Sequence, residues 1–310
     1  VELFDMDESR VRVIVPDVGG GFGGKNTVYP EEILTNMASR LLARPVKWIE
    51  DRREHFLASI QERDQEWDVE VAVDTEARVQ GVRGTMYHDQ GAYTLLGLHV
   101  PHNSSIAVPG PYHIPNYRIE VLVAETNKVG TIPVRGAGYP EGNFTIERVL
   151  DRIARELGMD RAEVRRRNLI PGDAIPYQMP MKTREGTPMI YESGDFLRCH
   201  EMALEAAGYT DFAQRQKEAL TEGRYIGIGV ANMVKVTGRG PFESATVRVG
   251  RSGRVVIYTS AMAMGQGTKT TLAQICAEQL AIAPDQITVV TVDTASSPIG
   301  IGAYGSRNTV

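Results

Sequence analysis

The sequence predicts a mixed α/β protein built from two subdomains, and three observations lead to this prediction. Strand-like runs, in which apolar and polar residues alternate or β-branched residues predominate, are interspersed with apolar residues at helical spacing in both halves of the chain. The length of 310 residues fits two domains of ordinary size. Glycine occurs 31 times, above its usual share, and the excess is concentrated in a few loops.

The first subdomain is predicted to span residues 1–210. A β-branched run at 11–15 predicts a buried strand, and a helix then begins at Pro30 and ends before Pro45, because proline suits the first helical turn and not the interior. Further strands are predicted at 45–50, 66–73, 79–87 and 117–124. A helix is predicted at 141–157, and a short second helix follows it and ends at about 168. Two further helices are predicted between 194 and 221. The Pro/Gly/Thr-rich stretch 171–194 indicates a long connection.

The second subdomain is predicted to span residues 225–310, with the boundary at 210–224. Alternating or β-branched runs predict four strands, at 227–236, 244–249, 255–260 and 287–292. A helix is predicted at 268–282, directly after a glycine-rich turn.

Composition narrows the classes of partner. The net charge is −5, the pI is near 5.8, and no basic stripe runs beside aromatic residues, so we expect no nucleic-acid partner. No apolar run approaches the ~18 residues of a membrane helix, so we expect no membrane association. Two cysteines, Cys199 and Cys276, favour a reducing, cytoplasmic compartment. The chain starts without Met and stops within a Gly/Ser/Arg loop, which predicts a fragment truncated at both ends.

The first glycine-rich loop is GGGFGGKN, from Gly19 to Asn26. Consecutive glycines let backbone N–H groups converge on an anion or a cofactor. The loop nearly fits two nucleotide motifs, G-x-G-x-x-G and G-x-x-x-x-G-K, but the next helix starts late, at Pro30, and Asn26 replaces the usual Ser/Thr. A nucleotide-binding module using Gly19–Lys25 remains the alternative, and a simple turn remains a third reading.

Three more loops combine glycine with polar residues. Arg135-Gly136-Ala137-Gly138 leads into a helix, and a guanidinium beside small residues offers fork-shaped donors in a narrow space. Met264-Gly265-Gln266-Gly267 lies between a strand and a helix, the order that anion binding requires. The last loop is GIGAYGSR, residues 300–307. Each of these alone could be only a turn.

Together, the four loops resemble the large, molybdopterin-binding subunit of the molybdenum hydroxylases, the xanthine dehydrogenase, aldehyde oxidase and carbon monoxide dehydrogenase family. The likeness lies in GGGFGGK, in RGAG-x-PE about 110 residues later, in GQG before a helix, and in G-x-G-x-x-SR after a DT pair. It extends over nearly the whole chain. It implies two mixed α/β molybdopterin-binding subdomains.

The resemblance also implies a cofactor site. In such enzymes the pterin dithiolene holds molybdenum, so no protein side chain is expected as a metal ligand, and the histidines and cysteines here have no metal-ligand spacing. The implied cofactor-binding residues are Gly20, Gly21, Phe22, Gly23, Arg135, Gly136, Ala137, Gly265, Gln266, Gly267, Tyr304, Gly305 and Ser306.

The activity implied by the resemblance is hydroxylation of a small molecule with water as the oxygen source. The family's catalytic glutamate would lie beyond residue 310, so this chain is expected to contain no catalytic residue and to be inactive alone. The cofactor would be molybdenum–molybdopterin, either plain or as the cytosine dinucleotide. Electrons would pass to [2Fe–2S] and FAD groups on partner subunits or domains of an oligomer.

Departures from the family pattern bear on the substrate. Copper-containing carbon monoxide-oxidising members carry Cys in the loop that here reads Arg135–Gly138, and purine-oxidising members carry Glu and Arg where this chain has Asn26 and Asn103. The implied substrate pocket therefore contains Asn26, Asn103 and Ala137, which supply no charge. This favours an aldehyde or an uncharged N-heterocycle.

Overall fold

The computed structural model describes residues 1–96, 98–238 and 240–309, and their packing forms two compact units. Unit 1 consists of Val1–Asn26 and Val236–Val310, and unit 2 consists of Thr27–Lys235. The predicted limits, 1–210 and 225–310, follow sequence order, whereas the packing groups the first 26 residues with the C-terminal segment. Each unit contains both helices and strands, which confirms the mixed fold class.

Unit 2 is built on a three-stranded sheet of β1 (Gln65–Val73), β2 (Val79–Gly91) and β3 (Tyr117–Glu125). β2 is central, antiparallel to β1 and parallel to β3. Partly buried residues alternate with exposed ones along β1, which is the period-two pattern of a half-buried strand. A separate antiparallel hairpin joins β4 (Tyr177–Lys182) and β5 (Pro188–Tyr191).

Seven α-helices belong to the described part of unit 2. They are α1 (Pro30–Leu42), α2 (Arg52–Ala58), α3 (His99–Ala107), α4 (Tyr139–Leu157), α5 (Arg161–Asn168), α6 (Phe196–Ala206) and α7 (Phe212–Thr221). None of the helices in the described ranges is long and apolar enough to cross a membrane.

The core of unit 2 lies between its sheet and α4. Ile146, Leu150 and Ile153 recur at helical spacing on α4 and are buried against Val79 and Val82 of β2. Gly158 ends α4 in the left-handed conformation, φ 62°, as glycine at this position commonly does.

Unit 1 has its own three-stranded sheet of β6 (Ala245–Val249), β7 (Val255–Thr259) and β8 (Ile287–Thr291). β7 pairs with β6 antiparallel and with β8 parallel, and α8 (Thr268–Leu280) connects β7 to β8. A small apolar core joins β7, β8 and α8. The parallel β7–α8–β8 arrangement places the carboxyl ends of β7 and β8 at one sheet edge, a usual location for ligands.

Several predicted elements are wrong, and hydrogen bonding explains why. Residues 11–15, 45–50 and 227–236 are not strands, because β-branched residues make a segment extended but cannot provide a neighbouring strand. The first of these is not buried either, and it forms one isolated bridge, between Ile14 and Asp293. The predicted connection at 171–194 contains the β4–β5 hairpin. The predicted helix at Pro30 is confirmed as α1, but none of its residues is buried.

Candidate functional site

The first glycine-rich loop, in unit 1, is a pair of overlapping turns with unusual backbone angles. The amide of Gly24 donates to the carbonyl of Gly21 at 3.0 Å, and that of Asn26 donates to Gly23 at 2.9 Å. Phe22 has a left-handed φ of 54°, and its ring is largely exposed. Gly20 has a φ of 133°, a backbone conformation that residues with a side chain rarely adopt, so this position favours glycine.

The loop before α8 lies beside the first loop in the same unit. A Cβ atom on Gly21 would be 2.6 Å from the sulfur of Met264, and the ammonium group of Lys269 pairs with Asp17 at 2.8 Å. The chain at Val15 also donates a backbone hydrogen bond to Val292, just after β8. Two of the predicted loops are therefore neighbours at the carboxyl edge of the unit 1 sheet.

Gln266 closes its own loop. Its Oε1 accepts from the amide of Met264 at 2.6 Å, and its Nε2 donates to the carbonyl of Met262 at 3.0 Å. The flanking Gly265 and Gly267 are left-handed, and the space beside their Cα atoms is open to 4 Å. Gly267 begins α8 without a side-chain cap, so the amino end of this helix presents N–H groups suited to an anion.

A buried ion pair anchors the fourth loop. Arg307 donates to Glu243 at 2.8 Å and lies over the ring of Tyr304, with its guanidinium carbon 5.1 Å from the ring centre. Glu243 also bonds the hydroxyl of Ser260, which directly follows β7, and the amide of Gly302. This anchoring fixes a third predicted loop near the end of β7.

The Arg135–Gly138 loop belongs to unit 2 and contains three consecutive left-handed residues. The φ angles are 109° at Gly136, 54° at Ala137 and 91° at Gly138. Asn103 is buried on α3, and its Nδ2 donates to the carbonyl of Ala137 at 2.8 Å. Two of the predicted substrate-pocket residues are thus in contact, whereas Asn26 belongs to unit 1 and its place in that pocket stays a prediction.

A charged group beneath this loop was missed by sequence analysis. The guanidinium of Arg63 lies 2.8 Å from the carboxylate of Glu62 and 3.9 Å from that of Glu141, and it also donates to the carbonyl of Arg135. Burial raises the pKa of Glu62 to about 8, and it also raises the pKa of Glu141. Glu141 belongs to the quoted RGAG-x-PE pattern, whereas Glu62 and Arg63 are far from every glycine motif in sequence, so no signal there would have identified them.

Three of the predicted loops each contain one non-glycine residue with positive φ. Among the described residues, nine non-glycine residues have positive φ, and three of them, Phe22, Ala137 and Ser306, each lie in a different predicted loop. Such conformations cost roughly 1–2 kcal/mol per residue, and strain of this kind clusters at functional sites.

Each unit supplies donors of the kind that a pterin cofactor bearing phosphate would need. Unit 1 has open backbone around Gly265 and Gly267 and the uncapped start of α8, and unit 2 has the exposed Arg135. Backbone amides and a guanidinium are the groups that bind phosphate and the polar edge of a ring system.

Comparison with known proteins agrees with this chemistry. Two family models, both described as a molybdopterin cofactor-binding domain, match residues 1–169 and 202–310. These matches define the class, a molybdopterin-binding protein. The chain belongs to the family of molybdenum hydroxylase large subunits, which confirms the resemblance seen in the sequence.

Relatives and solved structures support the assignment. The chain is 35% identical to the 6-hydroxypseudooxynicotine dehydrogenase complex subunit gamma of Paenarthrobacter nicotinovorans, over 100% of this chain and 39% of the relative. It is 33% identical to the carbon monoxide dehydrogenase large chain of Hydrogenophaga pseudoflava, over 99% of this chain and 40% of that one. It matches quinoline 2-oxidoreductase from Pseudomonas putida 86 with a TM-score of 0.85 and 36% identity, over 96% of this chain and 39% of that one. The chain therefore spans about two fifths of the length of these proteins.

Proposed function

We propose that this chain is the molybdenum-cofactor-binding portion of an oxidoreductase that hydroxylates a small molecule with water as the oxygen source. One observation carries the proposal: of the thirteen cofactor residues that the sequence predicts, nine have left-handed backbone, and they are distributed over all four loops. These nine are Gly20, Phe22, Gly23, Gly136, Ala137, Gly265, Gly267, Gly305 and Ser306. A backbone held in such conformations in four separate loops points to ligand contact through main-chain groups.

The residues of this chain would bind and orient the cofactor. The amides at Gly265 and Gly267 and the start of α8 would hold an anionic group, and Gln266 would brace that loop. Arg135 would approach from its own loop, and Phe22 and Ser306 would line the site. When bound, the molybdenum cofactor would supply the redox chemistry. The catalytic glutamate of the family is expected outside residues 1–310.

For the substrate, we favour an uncharged N-heterocycle, with an aldehyde as the second choice. Asn103 uses its Nδ2 on the carbonyl of Ala137, so its remaining polar atom is a neutral acceptor and not a charge. The chain is also similar to proteins named quinoline 2-oxidoreductase and nicotine 6-hydroxylase large subunit, whose named substrates are N-heterocycles. The loop Arg135–Gly138 lacks the Cys of carbon monoxide oxidisers.

We further propose that electrons leave through iron–sulfur and FAD groups on partner subunits or domains in the cytoplasm. Names of relatives such as "complex subunit gamma" and "large chain" support an assembly of several subunits. Cys199 and Cys276 are free thiols, which suits a reducing compartment. The pterin would be molybdopterin or its cytosine dinucleotide.

The alternative function, nucleotide binding by Gly19–Lys25, has less support. A phosphate-binding loop leads directly into a helix, whereas α1 begins at Pro30, and Tyr29 precedes it. The loop therefore lacks the direct continuation into a helix that this motif requires.

Metal analysis of the full-length protein separates the two functions. We expect molybdenum near one atom per chain, and no change in it for Lys25→Ala. Binding of ATP or NAD that Lys25→Ala abolishes, in a protein without molybdenum, would instead establish the nucleotide-binding reading.

A further inference from the structure

We propose that Arg63 is a positioning residue that holds the Arg135–Gly138 loop in its binding conformation, with Glu62 and Glu141 as its buried anchors. This inference rests on the proposed function, because it assigns that loop a role in cofactor binding. Arg63 lies 72 residues before the loop and belongs to none of the glycine motifs.

The backbone brings Arg63 and the loop together. Gln61 forms a parallel bridge with Thr131, its amide donates to Gly130 at 3.2 Å, and its carbonyl accepts from Ile132 at 3.2 Å. The segment that carries Arg63 is thus hydrogen-bonded to the segment that leads into the loop. Any shift of one segment would move the other.

The side chain of Arg63 completes this connection. One guanidinium nitrogen, Nη2, donates to the carbonyl of Arg135, and the same nitrogen would lie 3.7 Å from a Cβ atom on Gly136. The guanidinium therefore packs directly against the first glycine of the loop. Arg63 itself has a left-handed φ of 73°, an uncommon conformation for a non-glycine residue.

The anchors are two carboxyl groups withdrawn from solvent. The side chain of Glu62 is 1% exposed and that of Glu141 is 7% exposed, while that of Arg63 is 40% exposed. Glu141 lies in the first turn of α4, directly after the loop, so the guanidinium connects the segments on both sides of the loop. A planar fork can contact two carboxylates and a carbonyl at once, whereas a lysine ammonium is a single point charge.

The test compares Arg63→Lys with Arg83→Lys in the full-length protein. Arg83, on β2, forms an exposed ion pair with Glu70 on β1. Its substitution therefore controls for the loss of a guanidinium. Hydrogen exchange is followed at the amides of Ala137 and Tyr139, which donate to Val134 and Gly136. We expect about tenfold faster exchange at these amides in Arg63→Lys, the factor for one charged hydrogen bond, and no change in Arg83→Lys.

A second readout is the molybdenum content of the same variants, which should fall in Arg63→Lys alone. If Arg63→Gln fails to fold, the double change Arg63→Gln with Glu62→Gln also removes the buried acid that has lost its partner, and its loop should still exchange faster. Unchanged exchange at Ala137 and Tyr139 in a folded Arg63 variant would overturn the positioning role. Faster exchange in a protein that contains no molybdenum would keep that role and reject the proposed function instead.

Discussion

Position 136 has no room for a side chain. A Cβ atom there would lie 2.3 Å from Cγ of Pro140, and its φ of 109° is unfavourable for any residue with a side chain. Position 158 also has a positive φ, 62°, but it lies in the ordinary αL region and has open space around it. Gly158 therefore serves as a control for a glycine with positive φ that is neither crowded nor in an unusual conformation.

We expect Gly136→Ala to lower the molybdenum content of the full-length protein severalfold, because the loop must move away from Pro140. Its free energy of unfolding should fall by about 1–3 kcal/mol. Gly158→Ala should cost about 1 kcal/mol and leave the molybdenum content unchanged. Metal analysis and chemical denaturation measure both effects, and equal molybdenum loss in the two variants would contradict the assignment of Gly136 to the site.

The raised pKa of Glu62 predicts that the free energy of unfolding depends on pH. Burial raises its pKa in the folded protein to about 8, above the ordinary 4.5, with the Glu141 carboxylate adding to the rise and the Val134 amide opposing it. Between pH 4.5 and 8 the folded state therefore binds more protons at this site than the unfolded state does. Linkage then requires this site to lower the free energy of unfolding as the pH rises through that window.

Glu62→Gln should remove this contribution, which is at most about 1.4 kcal/mol per pH unit. Compared with the parent protein, the variant should gain stability progressively from pH 5 to pH 8. Denaturation at several pH values measures the gain, and the exposed Glu70→Gln serves as the control. A stability difference that stays constant over this range would show that Glu62 is ionised throughout.

At the scale of elements, α4 and α5 are joined by a buried ion pair. Arg165, fully buried on α5, donates to Glu147 of α4 at 2.6 Å and lies 3.0 Å from Asp151. Glu147 also accepts from the hydroxyl of Tyr112 at 2.5 Å and from the amide of Asn232 at 3.0 Å. One carboxylate thus ties the segment around Asn232 to two helices.

Replacing Arg165 by Met should lower the free energy of unfolding by roughly 3–5 kcal/mol, because Glu147 would remain buried without its cation. The control is Arg152→Met, which removes an exposed i,i+4 pair with Glu156 from α4 and should cost under about 1 kcal/mol. Chemical denaturation gives both values. Similar losses in the two variants would mean that the buried pair contributes no more than the exposed one.

The loop before α8 gives a prediction for Gln266. Gln266→Ala removes two hydrogen bonds that close the loop, so the molybdenum content should fall while the fold persists. Gln216→Ala is the matched control, since it removes from α7 an exposed side-chain bond to the carbonyl of Ile226. Circular dichroism and metal analysis distinguish the outcomes, and full molybdenum in Gln266→Ala would remove this residue from the site.

How far the sequence predicts these elements depends on what each pattern encodes. The alternation in residues 65–73 and the helical spacing in residues 139–157 report burial directly, and both elements formed as expected. Residues 45–50 are strand-like only in composition, and pairing with a partner is not encoded locally. The α3 segment, HVPHNSSIA, has a proline and no apolar stripe, so it gave no helical signal. Glycine patterns predicted the four candidate loops, whereas the contact of Arg63 with one of them depends on tertiary structure.

At the scale of the whole molecule, the two units differ in how the chain builds them. Unit 2 is one continuous stretch, Thr27–Lys235, whereas unit 1 combines Val1–Asn26 with Val236–Val310. Ion pairs hold the two parts of unit 1 together, Arg12 with Asp293 at 2.6 Å and Asp17 with Lys269 at 2.8 Å. Three of the four site loops lie in this discontinuous unit.

That arrangement sets an order of events on the ribosome. Residues 1–26 leave the exit tunnel before the rest of this stretch, and their partners in unit 1 follow some 210 residues later, a delay of about 10–40 s at ordinary rates of translation. Unit 2 can fold during this delay, while the glycine-rich loop at Gly19–Gly24 still lacks its packing partners in Val236–Val310. Three of the loops proposed to receive the pterin can thus assemble only after the rest of this stretch has been made, so cofactor insertion at these loops would follow the synthesis of Val236–Val310.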